Sequence, residues 1–306
     1  MFDFDMEAID RVVISMDSTM QGILAAILIF MMFSVALGLR GSHFTRIVQA
    51  PGDVVSGLLV QVIGLPAVTM AFIHLLQLPA SIALGLIIVA SCPGGNVSNF
   101  FARISHANVA YSITLTALSG IFAVLMIPIS VLFWGGLYEP IDLLLKEIDL
   151  DRGLFFIRIF AMLGFPLFVG MMIAHKHPDF ADRLQKKAVP LSVVLLGVLI
   201  VITVSQNSDL LFSFGPSILS VVVLHNIVAF ALGGIAAALL MKERGKFRTL
   251  IFEVGLQNTG LALVILLSEF QGLGGAALIT ATWGIWHMVT GFGLAGLFRL
   301  QDKKHD

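Results

Sequence analysis

Phe252-Glu253-Val254-Gly255-Leu256-Gln257-Asn258-Thr259-Gly260 sets a carboxylate, two amides, a hydroxyl and two glycines side by side. Apolar sequence from Leu261 to Leu267 follows it, Lys242, Arg244, Lys246 and Arg248 precede it, and the next base is Arg299. On a helix washed by water these residues would cost little. Inside a bilayer Glu253 would lie in hydrocarbon, where an ionisable group is expensive and marks a functional site. Composition decides between the two. Hydrophobic residues make up 58% of the chain and charged residues 12%, with a mean hydropathy of +0.98. A soluble domain carries about 25% charged residues, so lipid must be part of this chain's solvent. The net charge of −1 offers nucleic acid no bulk attraction. Cys92 is the single cysteine, which rules out a disulfide within one chain.

A membrane-spanning helix needs roughly 20 mostly apolar residues. Nine segments qualify, at about 20–39, 54–76, 80–102, 109–134, 153–174, 189–206, 217–241, 248–270 and 276–298. The fold class is therefore all-α integral membrane, with a transporter-sized domain over 20–299 between an extracytoplasmic segment, 1–19, and a cytoplasmic tail, 300–306. Asp17 and Ser18 stand where a cap for the first helix belongs. The acidic start, with Asp3, Asp5, Glu7, Asp10 and Asp17 against Arg11, lacks the basic region of a cleaved signal peptide and is expected to be retained. Along a nine-pass path Arg40, Arg46, Arg103, Lys176, Arg183, Lys186, Lys187, Lys242, Arg244, Lys246, Arg248, Arg299, Lys303 and Lys304 fall on one side, 14 of the 18 bases. Arg11, Lys146, Arg152 and Arg158 fall on the other, with an acidic loop of Glu139, Asp142, Glu147, Asp149 and Asp151. The positive side is cytoplasmic, so the N-terminus is expected outside the plasma (inner) membrane and the C-terminus inside. Trp134 and Tyr138 suit an outer aromatic belt, and runs such as Phe30 to Phe33 read as lipid-facing bulk.

Two segments are interrupted. The third carries Cys92-Pro93-Gly94-Gly95-Asn96-Val97-Ser98-Asn99 about ten residues before Arg103, which at 1.5 Å per residue is roughly 15 Å deep, near the midplane. Proline removes a helix donor and paired glycines tolerate unwound backbone. The eighth carries Gly255 and Gly260 at similar depth, entering from the opposite side. Segments one to four (about 20–134) thus correspond in pattern to six to nine, within a second half of about 153–299. An inverted repeat with broken helices at matching places is the best sequence pointer to a secondary transporter's binding site.

Each break offers two kinds of charge. Carbonyls near Cys92 and Glu253-Val254 end the first half-helices and suit cations, while amides near Asn96 and Asn258 begin the second halves and suit anions. Nearby side chains are oxygen donors. Ser98 and Asn99 flank the first break, Ser112 and Thr116 share a face of the fourth segment, Gln61 interrupts an apolar run, and Glu253 and Gln257 are four apart. Hard cations take such ligands. Two Na⁺ against one ionised Glu253 leave one positive charge, which a monoanionic substrate would neutralise.

The stretches Cys92–Asn99 and Glu253–Asn258 resemble the two signature motifs of the bile acid:sodium symporter family, and the resemblance runs from about 20 to 299. It implies a core and a panel domain, with two discontinuous helices crossing in the core. It implies one sodium site of Ser98, Asn99, Ser112, Thr116 and Glu253, and a second of Gln61, Glu253, Gln257 and the backbone carbonyls of Val254 and Leu256. Substrate would sit near Asn96 and Asn258, with His287 close by. The chain departs from some bacterial members in lacking an extra first helix, and in carrying Asn96 where they have threonine. Two Na⁺ as coupling ions, an organic anion as cargo and a monomeric carrier are the expectation.

Blander readings exist for each element. Pro93-Gly94-Gly95 could be a kink, Ser112 and Thr116 could be helix glue, and His287 could be a packing histidine. His225 and Asn226 read better as hydrogen-bonding across the bundle, His175-Lys176-His177 as a solvated loop, and Cys92 as packing. Rival functions are a proton-coupled carrier using Glu253, a ligand sensor without transport, and a membrane-embedded enzyme. Paired deep acids, a zinc motif or a lysine beside a buried serine would signal the last, and the sequence shows none of these, so no catalytic residue is expected.

Overall fold

The computed structural model describes residues 9–10, 12, 14, 18–40, 50–206, 208–270 and 272–303. Asp3, Asp5, Glu7, Arg11 and Asp17, with Arg46 and Lys304, lie outside the described residues, and so do parts of the expected terminal segments. The elements of the described residues are helices, in the order α1 (Ser18–Ala36), α2 (Pro51–Leu59), α3 (Leu65–Leu76), α4 (Ala80–Ser91), α5 (Asn96–Ile104), α6 (Val109–Gly136), α7 (Glu139–Glu147), α8 (Arg152–Lys176), α9 (Pro178–Gln206), α10 (Ser208–Leu240), α11 (Arg244–Gly255), α12 (Thr259–Glu269) and α13 (Gly274–Asp302). Five stretches among them are long and apolar enough to cross a membrane: Thr19–Ala36, Pro51–Leu76, Val109–Gly136, Arg152–Lys176 and Phe214–Leu240.

The outer surface explains the composition. Ile157, Phe165, Phe168, Val201, Leu239 and Ile285 are each more than three-fifths exposed. Patches of that kind on a water-soluble monomer would drive association, and in lipid they are the solvent-facing surface. The inside is formed by the half-helices. Every residue of α4 is buried, as is the run Gly260–Leu267 of α12. A helix apolar all round belongs in such a place. α4 packs on α6 and α13, α11 lies along α10, and α1 packs with α8 and α9.

Both interruptions expected from glycine and proline are present. The first leaves Cys92, Pro93, Gly94 and Gly95 between α4 and α5, and the second leaves Leu256, Gln257 and Asn258 between α11 and α12. The two unwound strands meet. Gly94 and Gln257 pair antiparallel, and the Asn258 amide donates to the Pro93 carbonyl at 3.0 Å. Each break supplies polar backbone that the other consumes, which is how irregular chain survives away from water.

Four features depart from the sequence reading. The second segment is not one regular helix: a π turn over Val60–Gly64 joins α2 to α3, with the Leu65 amide bonded to the Val60 carbonyl. Pro66 cannot donate to a carbonyl one turn back, so the wider turn costs little there. The acidic loop between the halves contains a helix, α7, that buries Ile141, Leu144 and Leu145. Tyr138 is buried, donating to the Leu78 carbonyl at 2.7 Å, rather than standing in an exposed belt. Arg248 lies inside α11, 3% exposed, and is held by Asp302 at 2.6 Å and the Ser105 carbonyl at 2.8 Å.

Candidate functional site

The crossing brings Glu253 to the oxygen donors. Glu253 sits on the last turn of α11 with no exposure. Its Oε1 accepts from Ser112 Oγ at 2.5 Å, Ser98 Oγ at 2.8 Å and Thr116 Oγ1 at 3.1 Å. Ser98 comes from the first turn of α5, whose position is set by the break after Gly95, and Ser112 and Thr116 from one face of α6. Asn99 joins this group through Thr116, 3.5 Å from its Oδ1. Among the described residues the Glu253 carboxylate is hydrogen-bonded by the hydroxyls of Ser98, Ser112 and Thr116 and by no Lys or Arg. A buried carboxylate bonded by neutral hydroxyls has no counter-charge in these bonds, and three hydroxyl oxygens gather around its Oε1. Such a donor set fits a hard monovalent cation.

A second group forms on the far side of the same residue. The Gln61 amide nitrogen, within the π turn, reaches the Glu253 carbonyl at 3.3 Å, and Gln257 Nε2 donates to the Glu253 and Val254 carbonyls at 3.2 and 2.9 Å. The Oε1 atoms of Gln61 and Gln257 are buried without a partner. Two unpartnered amide oxygens beside carbonyls at a helix end are what a further cation would satisfy. Leu256 is fully buried in extended conformation between them. Gly94 lets the strands close: a Cβ there would stand 2.4 Å from Glu253 Oε2 and 3.0 Å from Gln61 Nε2.

Next to the crossing lies a cavity of about 320 Å³, between α1 and α9 on one side and the two breaks with α13 on the other. Asn96, Asn258 and His287 all line it. Asn258 also caps α12, its Oδ1 accepting from the Leu261 amide at 3.1 Å. His287 Nδ1 lies 2.9 Å from the Trp283 carbonyl, so this nitrogen carries the hydrogen, and Nε2 has no partner. The opposite wall was missed from sequence. Met31 and Met32, read as lipid-facing bulk, line the cavity with Ser34 and Ser192, and Met32 is 3% exposed. A thioether in an apolar run gives no sign of which way it faces.

His225 and Asn226 do bond across the bundle. His225 Nδ1 accepts from Trp283 Nε1 at 3.0 Å, and its Nε2 lies 2.8 Å from Thr69 Oγ1. Asn226 Nδ2 donates to the Gly255 carbonyl at 3.1 Å. Among the described residues no group of His, Cys, Asp and Glu could hold a metal ion in the manner of a transition-metal site.

The sequence is similar to those of known proteins. The chain is 30% identical over 277 residues to an uncharacterized sodium-dependent transporter, YocS, of Bacillus subtilis strain 168, covering 89% of this chain and 82% of that one. It is 31% identical over 241 residues to the probable sodium/metabolite cotransporter BASS2, chloroplastic, of Oryza sativa subsp. japonica, covering 79% of this chain and 55% of the rice protein. To the human P3 protein it is 31% identical over 221 residues, 72% of this chain and 45% of the other. The pattern that describes the sodium bile acid symporter family matches residues 25–214, the stretch that holds α1, the π turn, the first break and the hydroxyl face of α6. A chain whose broken helices cross at a buried acid, and whose first two thirds follow that pattern, is a member of the sodium bile acid symporter family.

Proposed function

We propose that this protein is a sodium-coupled symporter that carries an organic anion across the plasma (inner) membrane by alternating access. One observation carries the reading: Glu253 is fully buried, charged partners are missing from its hydrogen bonds, and three hydroxyls converge on its Oε1 within 3.1 Å. A monovalent cation supplies the missing charge. Ser98, Asn99, Ser112, Thr116 and Glu253 form one Na⁺ site; Gln61, Glu253, Gln257 and the carbonyls of Val254 and Leu256 form the other. The names of relatives described as sodium-dependent transporters and sodium/metabolite cotransporters support sodium as the coupling ion.

The cargo lies in the adjoining cavity, where the amides that start α5 and α12 direct partial positive charge at an anion. Asn96, Asn258 and His287 contact it. Of nine passes related by an inverted repeat, α1, α8 and α9 act as a panel and the other six as a core, so the cavity lies on the boundary between two bodies that move against each other. The basic helix ends face the cytoplasm, with the N-terminus outside. If two Na⁺ enter with one monoanion, one net charge crosses, and the membrane potential adds ~2.3 kcal/mol per 100 mV to the drive.

Uptake by proteoliposomes tests this. An inward sodium gradient is expected to drive accumulation of an organic anion identified by sodium-dependent thermal stabilisation, with a Hill slope for sodium above one. Glu253→Ala is expected to insert normally and to lose that uptake. Accumulation driven by a pH gradient in sodium-free buffer assigns the carrier to protons instead, and binding without counterflow makes it a sensor.

A further inference from the structure

The last turn of α11 exposes a run of carbonyls with no helical partner. They are dealt with in two directions. Glu253 and Val254 carbonyls face Gln257 and, for Glu253, Gln61. The Gly255 carbonyl, next in sequence, faces the other way, to Asn226 of α10. We propose that Asn226 is a positioning residue for the cation site formed by Gln61, Glu253, Gln257, Val254 and Leu256, which it does not itself touch. It does so by fixing the Gly255 carbonyl and so the direction of the carbonyls on either side. This rests on the reading of that second sodium site given above.

The orientation of the Asn226 amide is determined at both ends. A carbonyl can only accept, so Nδ2 faces Gly255. At the other end Thr290 Oγ1 lies 2.7 Å from Oδ1 and donates its hydrogen there, that acceptor being nearer than the Trp286 and His287 carbonyls at 3.3 and 3.1 Å. Asn226 is fully buried, so no water competes. Phe230, one turn along α10, closes the remaining freedom: a Cβ at Gly255 would meet its ring at 2.3 Å. Gly255 is thus clamped between an amide and an aromatic face. Rotation of its peptide would disturb the carbonyls on either side, of which that of Val254 accepts from Gln257 Nε2 at 2.9 Å. Partners that orient metal ligands from behind are worth 10–100-fold in metal affinity when removed.

Sodium titration of the purified full-length protein, followed by thermal stabilisation, reads this directly. Asn226→Ala is expected to raise the half-saturating sodium concentration by about tenfold and to pull the Hill slope toward one. Asn226→Leu keeps about the same size but can neither donate to Gly255 nor accept from Thr290, so it is expected to behave like Asn226→Ala. Thr290→Val leaves the donor in place without its orienting partner and is expected to give a smaller shift in the same direction. Wild-type titrations in both Asn226 variants overturn the proposal. So does a uniform loss of stability at zero sodium with unchanged half-saturation, the mark of a purely structural hydrogen bond. If the Asn226 variants do not fold, Thr290→Val decides alone, and an unshifted titration there overturns it. Glu253→Gln separates the two levels. If that variant still titrates like wild type, the site reading fails. If it loses the response while the Asn226 variants keep theirs, only the positioning role fails.

Discussion

Glu253 receives three hydroxyls on Oε1, while Oε2 is contacted by Thr116 alone, at 3.2 Å, and is turned toward Gly94. Glu253→Gln keeps the volume and removes the charge, and is expected to weaken sodium-driven uptake by at least about 100-fold, measured in proteoliposomes. Gly94→Ala adds one methyl 2.4 Å from Oε2, closer than any carbon settles, with Gln61 behind it. It is expected to raise the sodium requirement by about tenfold or more in the same assay, although no ligand is lost. The two substitutions separate two kinds of legibility. A carboxylate or amide inside an apolar run announces itself in sequence, because lipid makes it costly, and that is why Gln61, Glu253 and Gln257 stand out before any coordinates, whereas Ser112 and Thr116, whose hydroxyls also serve as glue between helices, become candidates through the family resemblance. Asn226 was read only as a bond across the bundle, because its partner is a main-chain carbonyl and main chain looks the same everywhere in a sequence. Met31 and Met32 were misassigned for the converse reason: lipid and an apolar cavity wall accept the same side chain.

At the level of elements, the breaks were legible and the turns between them were not. Pro93, Gly94 and Gly95 mark the first break by their chemistry, and Gly255 marks the second, but the π turn at Val60–Gly64 has Pro66 as its one signal, and proline is common in membrane helices. The caps carry a prediction. Asn258 serves α12 as its N-cap and also lines the cavity. Asn258→Ala is expected to cost about 1 kcal/mol of stability and to weaken anion binding. Asn258→Ser restores the cap without the amide, so thermal melts should recover while anion affinity does not. The clasp between α11 and α13 carries another. Arg248 is bonded to Asp302 and to the Ser105 and Phe298 carbonyls. Arg248→Met leaves those buried carbonyls short of a donor, at about 1–3 kcal/mol each, which a thermal melt should register as a clear loss. Arg248 also holds the Asp302 carboxyl, which lies past the apolar span, well below the usual carboxylate range, with His106 and Arg244 adding to the effect. A carboxyl depressed in the folded state contributes stability above its unfolded value near 3.9, and loses it as pH falls through the lower folded value. Melts of wild type and Asp302→Asn should therefore differ at pH 5 to 8 and converge only in strong acid.

For the whole molecule, the composition was the most informative single fact, since 12% charge leaves no globular alternative in water. The half-buried α7 and the burial of Arg248 lay beyond it, because an acidic run reads as loop and a base at the start of a membrane segment reads as solvated until packing is known. The proposed orientation rests on the basic helix ends and can be checked on the single-cysteine background: with buried Cys92 replaced by alanine, a cysteine introduced at Lys303 is expected to react with an impermeant maleimide only after the cytoplasmic face is opened. Net charge movement is checked by a sodium-dependent current on adding substrate to a solid-supported membrane. The main-chain stitch at the crossing bears on how such a carrier could work. Gly94 pairs with Gln257, and Pro93 takes the Asn258 amide. Pulling those strands apart would strand amides and carbonyls in oil, so in a carrier that alternates access the knot would travel as one piece. The seam left to slide would be the greasy one along Met31, Met32 and Val35, which line the cavity.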